Sequence, residues 1–334
     1  MAKLHVSIVV DWEGEHFRNV GDLRATREAI QTSLGAHVPF THFICPTYWL
    51  EAEPAIDPSS AIRAVLVKGD ETALHVHCWS ALVRAAEVPF RATPDWNQDG
   101  TGHGVPLGAY GDDARAIVRT ARELLQRKLG VTVHGFRCGG AMTSDAVFAA
   151  LMALGFHYDC SAFPPAIVSR GFGPGARGSL RDTYGTKTAL AGFLVDLWGG
   201  KPAASPQCSN RLTLRANAGP ITATTQPYWV RSNERRILEM PGNGGISDYA
   251  SADSMRAAFD TLLAQARTSP HPLFFNIGCH QEGAGRWKRP LIDFCHERRA
   301  ALGSDAVVMT TVARASKTAR RFMAECRTRE ETNR

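Results

Sequence analysis

The sequence predicts an α/β fold: a distorted (β/α)7-type barrel of mainly parallel strands, with long loops at its C-terminal rim. Three observations lead there. Short apolar, β-branched runs alternate with stretches of helical period, the pattern of parallel strands joined by right-handed crossovers. Ionisable residues recur where those runs end: Asp11, His77, Arg137, Asp159 and His280. A barrel gathers all its strand ends around one rim, whereas an open sheet brings together only those beside its switch point. Finally, the one match to a dinucleotide-binding glycine pattern, Gly173-Pro174-Gly175-Ala176-Arg177-Gly178, opens no helix and reads as loop.

Residues 4–10 form the first apolar strand, which ends in Asp11-Trp12-Glu13. Residues 22–34 repeat Leu23, Thr26, Ile30 and Leu34 on one helical face, and 39–45 read as a second strand. A short helix over 59–66 is expected to be capped by Ser59 or Ser60, and strand three covers 73–77. The polar, Gly-rich stretch 90–111 is too long for a simple connector and reads as a loop over an active site. Helix 112–129 closes at Gly130, strand four is 131–136, and helix 144–154 runs from a Ser144 cap to Gly155. Strand five is 156–159, followed by an irregular excursion over 161–235. Strand six at 237–240, a helix at 252–267, strand seven at 273–278, a helix at 289–302 and a last strand at 306–310 complete the alternation. The division expected is a barrel over 1–312 and a basic C-terminal helix or tail over 313–334.

The chain has 334 residues, enough for one large core or two ordinary ones, and its 44% hydrophobic and 21% charged content is that of a soluble globular protein. Its net charge of +6 is unevenly spread: residues 311–334 hold seven Lys/Arg and three Glu, leaving about +2 for the other 310. That argues against a broad nucleic-acid-binding face. An apolar strand already begins at Leu4, which leaves no room for a signal peptide, and no apolar run approaches the ~20 residues of a membrane span. A cytoplasmic protein is expected, with neither nucleic acid nor membrane as partner and a homo-oligomer left open. The eight cysteines contain no Cys-x-x-Cys pair and read as free, mostly buried thiols, with Cys78, Cys138, Cys160 and Cys279 near strand ends.

The chemistry lies in pairs. Residues i and i+2 of a strand share a face, so Asp11 can converge with Glu13, and His75 with His77. Two carboxylates and two imidazoles suggest a mononuclear metal site with one acid left for proton transfer. Arg137 runs into Gly139-Gly140: the guanidinium can hold a rim acid, and the glycines let backbone N–H groups approach a substrate oxygen. His280, late in the chain, is a candidate general acid. Trp79 and Trp229 are candidate sugar-binding rings, core packing being the competing reading. His16, His103 and His157 have no partner at useful spacing.

In order and spacing, these segments resemble the polysaccharide deacetylase superfamily (NodB-like, carbohydrate esterase family 4 and relatives), over about residues 4–312. Val6–Glu13 resembles its first acidic motif, residues 73–79 its histidine motif and 135–140 its Arg motif. Leu-Gly-Phe-His-Tyr-Asp-Cys-Ser at 154–161, Leu-Glu-Met-Pro at 238–241 and 274–280 resemble later ones. Two departures stand out: adjacent Asp-Asp is replaced by Asp11-x-Glu13, and His-x-x-x-His by His75-x-His77, with Trp79 where the second His would fall. The resemblance implies metal-dependent removal of an N-acetyl group from an amino sugar or an intermediate containing one. It implies a divalent ion, Zn2+ expected, on Glu13, His75 and His77, with Asp11 as base held by Arg137. His280 would be the acid, Asp159 would set the charge of Arg137 or His280, and Gly139 and Gly140 would face the substrate. Whether Asp11 or Glu13 is base or ligand stays open. A soluble or carrier-linked sugar is the expected partner. Hydrolysis of another C–N amide bond (formamide or cyclic amide), or glycan binding without cleavage, are the alternatives.

Overall fold

The computed structural model describes residues 2–14, 20–50, 56–91, 105–164, 221–232, 234–283 and 285–332. The glycine pattern at 173–178, His16, His103, and most of the 90–111 and 161–235 stretches lie outside these residues. Ten strands build one curled sheet: β1 (Leu4–Trp12), β2 (Phe40–Ile44), β3 (Glu71–Val76), β4 (Gly135–Cys138), β5 (Tyr158–Asp159), β6 (Tyr228–Ser232), β7 (Arg235–Glu239), β8 (Gly245–Ile246), β9 (Leu273–His280) and β10 (Val307–Met309). Their order is β6-β7-β5-β4-β3-β2-β1-β9-β8, with β10 on β1. Every pairing is parallel except β6 with β7. Helices cover the outside, and the result is the distorted (β/α)7-type barrel that the strand–helix alternation predicts.

β1 is the axis of the sheet. It pairs with β9 from Leu4 to Asp11, and its other edge is shared end to end by β10 (Leu4–Val6) and β2 (Ile8–Trp12). Its side chains alternate. Leu4, Val6, Ile8, Val10 and Trp12 are buried in the large cluster beneath the helices. Val9 joins a smaller inner cluster with Phe43, Ala73, Tyr158, Leu238 and Phe274. Asp11, two residues further on that inner face, is carried to the rim. The C-terminal helix Val312–Thr332 is no detached tail: Val312, Ala315 and Ala319 belong to the inner cluster. The Val312 and Ala313 N–H groups donate to Thr41 Oγ1 (2.9 Å) and Glu71 Oε2 (2.7 Å).

The local signals mostly mark real ends. Gly130 closes helix Ala114–Leu129 at φ 71°, and Ser144 caps helix Asp145–Ala153 by accepting from Val147 N–H. The expected serine cap is corrected: Asp57 caps helix Pro58–Arg63, its two carboxylate oxygens accepting from the Ser59 and Ser60 N–H groups at 3.1 Å. A carboxylate offers two acceptors and suits the positive helix N-terminus, so it outcompetes a hydroxyl one turn in. The single helix expected over 289–302 is two, Gly285–Glu297 and Arg299–Leu302. Among the described residues no helix is long and apolar enough to cross a membrane.

β1 and β9 approach closely because Gly278 has no side chain. A Cβ there would lie 2.2 Å from the Val9 carbonyl oxygen. Gly278→Ala therefore forces the two central strands apart. The expected cost is about 2–3 kcal/mol of stability, read as a fall in the urea midpoint at unchanged slope.

Candidate active site

The rim gathers Asp11 and Glu13 from the end of β1, His75 and His77 from β3, Arg137 from β4 and His280 from β9. Glu13 lies at the centre. Its Oε2 is 2.5 Å from His77 Nε2, and its Oε1 is 3.2 Å from His280 Nε2 and 3.6 Å from His75 Nε2. Ligand atoms of Glu13, His75 and His77 all lie within 4.8 Å of one another, and the three residues can hold a metal ion. Burial opposes the charge on Glu13, but the charges of His77 and His280 and the hydrogen bond from His77 hold its pKa well below the ordinary carboxylate range.

The donor chemistry fits a cation. His75 Nδ1 lies 3.1 Å from the Arg137 carbonyl oxygen, which can only accept. In the neutral imidazole the proton is therefore on Nδ1, and Nε2 presents a lone pair. That Nε2 is buried with no hydrogen-bond partner, and its nearest charged neighbour is a carboxylate oxygen. A lone pair and a carboxylate facing each other are stabilised by a positive ion between them. The second imidazole is fixed by packing. The Trp79 indole stacks on His77 (centroids 5.0 Å, planes 15° apart) while Trp79 Nε1 donates to the Glu13 carbonyl oxygen at 2.5 Å. Gly139 also abuts the ring, since a Cβ there would come within 2.6 Å of it.

Asp11 is held from behind. Arg137 Nη1 donates to both its carboxylate oxygens, at 2.8 and 2.9 Å. The guanidinium is 1% exposed, also donates to the Cys160 carbonyl oxygen and Sγ (both 2.9 Å), and lies over the rings of Phe43 and Phe163. His280 Nδ1 is 3.3 Å from Asp248 Oδ2. Burial alone would lower the His280 pKa; the Asp248 hydrogen bond and the charges of Glu13, Asp248 and Asp11 raise it to about 9.

Not every expected residue meets the centre. Asp159 touches neither Asp11 nor His280. It accepts from Ser161 Oγ at 2.6 Å, and burial raises the pKa of its carboxyl and of the neighbouring Glu239 carboxyl. The rim acid that Arg137 holds is Asp11. Trp229 sits in β6 against the inner cluster, with the Arg236 guanidinium 4.2 Å from its ring centre, and is not brought to Glu13. Gly140, at φ 60°, turns the chain after β4.

Four residues escaped the sequence reading. Asp248 and Tyr249 follow the two-residue β8; the Tyr249 ring meets His280 edge-on at 5.4 Å. Glu282 Oε1 accepts from Glu13 N–H at 3.0 Å and from the Tyr48 hydroxyl, and burial followed by the Glu13 charge pushes its carboxyl well above the ordinary range. His280-Gln281-Glu282 repeats the alternate spacing of the other two pairs, a signal present in the sequence; Asp248 and Tyr48 have none.

This is an α/β barrel with a His/His/carboxylate cluster at its rim. No protein-family model matches the sequence, and no curated protein does. Several solved structures match along nearly the whole chain, two of them at a TM-score of 0.50. One is the PuuE allantoinase, 16% identical, covering 95% of this chain and 90% of that one at a TM-score of 0.50. The other is a "probable polysaccharide deacetylase" of Pseudomonas aeruginosa PAO1, 15% identical, covering 96% and 92% at a TM-score of 0.50. At such identities the likeness establishes the fold.

Two outcomes follow from this geometry. Gly139→Ala drives a methyl group into the His77 ring, so the affinity of the Glu13, His75 and His77 cluster for a divalent ion should fall about 10- to 100-fold while the thermal transition stays cooperative, as equilibrium dialysis and calorimetry would show. In chelator-treated protein, His280 contributes stability present below pH 6.5, its unfolded pKa, and lost as pH rises through about 9. The span is about 3 kcal/mol, and His280→Gln should flatten the urea-midpoint profile between those pH values.

Proposed function

We propose that the protein is a metal-dependent hydrolase that removes the N-acetyl group from an amino sugar or an amino-sugar-containing intermediate, with Zn2+ on Glu13, His75 and His77. The observation that carries this reading is the unpartnered, buried Nε2 of His75 beside a carboxylate held in its charged form. An ion bound there supplies a water of lowered pKa and polarises the amide carbonyl.

The chain's own residues do the rest. Asp11 lies on the inner face of β1 two residues before Glu13, and both its oxygens are fixed by Arg137. It is the base, receiving the water's proton at a carboxylate that cannot turn away. His280 is the acid. Asp248 at Nδ1 orients the ring, and a pKa of about 9 keeps it charged at neutral pH, ready to donate from Nε2 to the departing amine. The Gly139 and Gly140 N–H groups supply donors to the substrate oxygen. Trp79, packed on His77, orients a ligand more than it grips a sugar. The substrate we propose is a soluble or carrier-linked acetamido sugar.

The same centre suits a second amide. The fold is shared with an allantoinase as well as a deacetylase, so hydrolysis of a formamide or cyclic amide is the competing reading. Binding without cleavage leaves Asp11, Arg137 and the His280–Asp248 pair without a purpose.

Acetate release from a panel of N-acetyl amino sugars, free and nucleotide-linked, measured beside ring opening of cyclic amides, decides between the two. Asp11→Asn should retain zinc and lose at least ~100-fold in kcat, while Glu13→Gln should lose the zinc. If Asp11→Asn loses the metal and Glu13→Gln keeps it, the roles are exchanged. If no acetate is released from any acetamido sugar, the deacetylase reading fails.

A further inference from the structure

The proposed chemistry leaves unused a cationic cluster at the opposite end of the barrel. His134 and His157 immediately precede β4 and β5, which pair in register at Gly135 and Tyr158. Register brings the imidazoles face to face, with centroids 4.2 Å apart and planes 4° apart, and the His157 N–H donates to the His134 carbonyl oxygen at 2.8 Å. His157 thus has the partner that its position in the sequence does not reveal.

Two guanidiniums flank the stack. Arg122, on helix Ala114–Leu129, is locked in place: Nη1 donates to the Leu154 carbonyl oxygen, Nε to Gln126 Oε1 (3.0 Å), and the group lies 5.0 Å over the Phe156 ring. Arg320, on the C-terminal helix, is half-buried and near enough for its charge to act on both rings. Both press positive charge on both imidazoles; with burial as the larger cause, this lowers the pKa of each ring, and burial lowers that of Arg320. Among the described residues no carboxylate lies within ion-pair distance of Arg122 or Arg320, and His134 Nδ1 is buried without a hydrogen-bond partner. Elsewhere the chain pairs such groups: Arg27 with Asp70, Arg298 with Asp260, Arg321 with Glu325. A preorganised, partly desolvated group of donors with no counter-charge has the makings of an oxyanion site.

We propose that His134, His157, Arg122 and Arg320 form a binding site for a phosphate group, on the far side of the barrel from the Glu13 centre. The Arg320 fork and the free donors of Arg122 bind its oxygens, and the imidazoles add N–H donors on taking up protons. The C-terminal helix, through Arg320, is then part of the site and not only a solvated basic face.

Thermal unfolding of the full chain at constant ionic strength tests this, with chloride replaced stepwise by inorganic phosphate or by phenyl phosphate. A saturable rise in Tm is expected, with the imidazole proton signals of His134 and His157 shifting over the same concentrations. Arg320→Gln should weaken the phosphate dependence at least tenfold, yet leave the phosphate-free Tm unchanged or higher, because it removes an uncompensated charge; a purely structural arginine would lower it. His75→Ala should keep the phosphate response, which separates this site from phosphate at the metal centre and from the fate of the hydrolase reading. A stronger response to phenyl phosphate assigns a carried phosphate, and a stronger one to inorganic phosphate the free ion. No rise beyond that in chloride, or an undiminished rise in Arg320→Gln, overturns the proposal.

Discussion

A charged guanidinium buried to 1% exposure is stable only where its charge is answered, and Arg137 is the point from which the rest of the rim is set. Its counter-charge, Asp11, must stand at the inner end of β1, which requires the register that carries β1 past β2 and β3 to β4. Its Nε and Nη2 are fixed by Cys160, which ties in β5. Its own carbonyl sets the tautomer of His75. One residue therefore positions the proposed base, orients a proposed ligand and ties together three strands. Arg137→Lys would keep the charge but not the fork that makes these contacts simultaneous.

The charges around this point nearly balance, and the imbalance is informative. Asp11 answers Arg137, and Asp248 answers protonated His280. Burial raises the carboxyls of Glu282, Asp159 and Glu239 above their ordinary ranges. Glu13, half-buried, is instead held in its charged form at the foot of two imidazoles. A partly desolvated site tolerates an uncompensated negative charge poorly. A divalent cation would answer it where His75 Nε2 already points.

Much of this was legible in the sequence because strands enforce a period of two. Alternation along 4–13 separates the residues under the helices from those of the lumen, and the same rule places His75 with His77. The strand–helix alternation gives the barrel. What stayed hidden depends on three-dimensional closure. Asp248 follows a two-residue strand too short to show a period, and Tyr48 reaches Glu282 across 234 positions. β6 pairs antiparallel with β7, so Trp229 stands opposite Leu238, with the Arg236 guanidinium over its ring. His134 and His157 become a pair only through the register of β4 with β5.

The His75-x-His77 spacing has a mechanical consequence. Side chains two apart share a face only on an extended backbone, and the two rings meet edge-on, 4.9 Å apart at 74°, with both Nε2 atoms toward Glu13. His77 lies just past the last residue of β3, where the ladder no longer holds it. The neighbouring structure takes over: Trp79 covers one face of its ring, Gly139 lies against it, and the indole N–H anchors the backbone of Glu13. A single aromatic residue thereby constrains both His77 and Glu13.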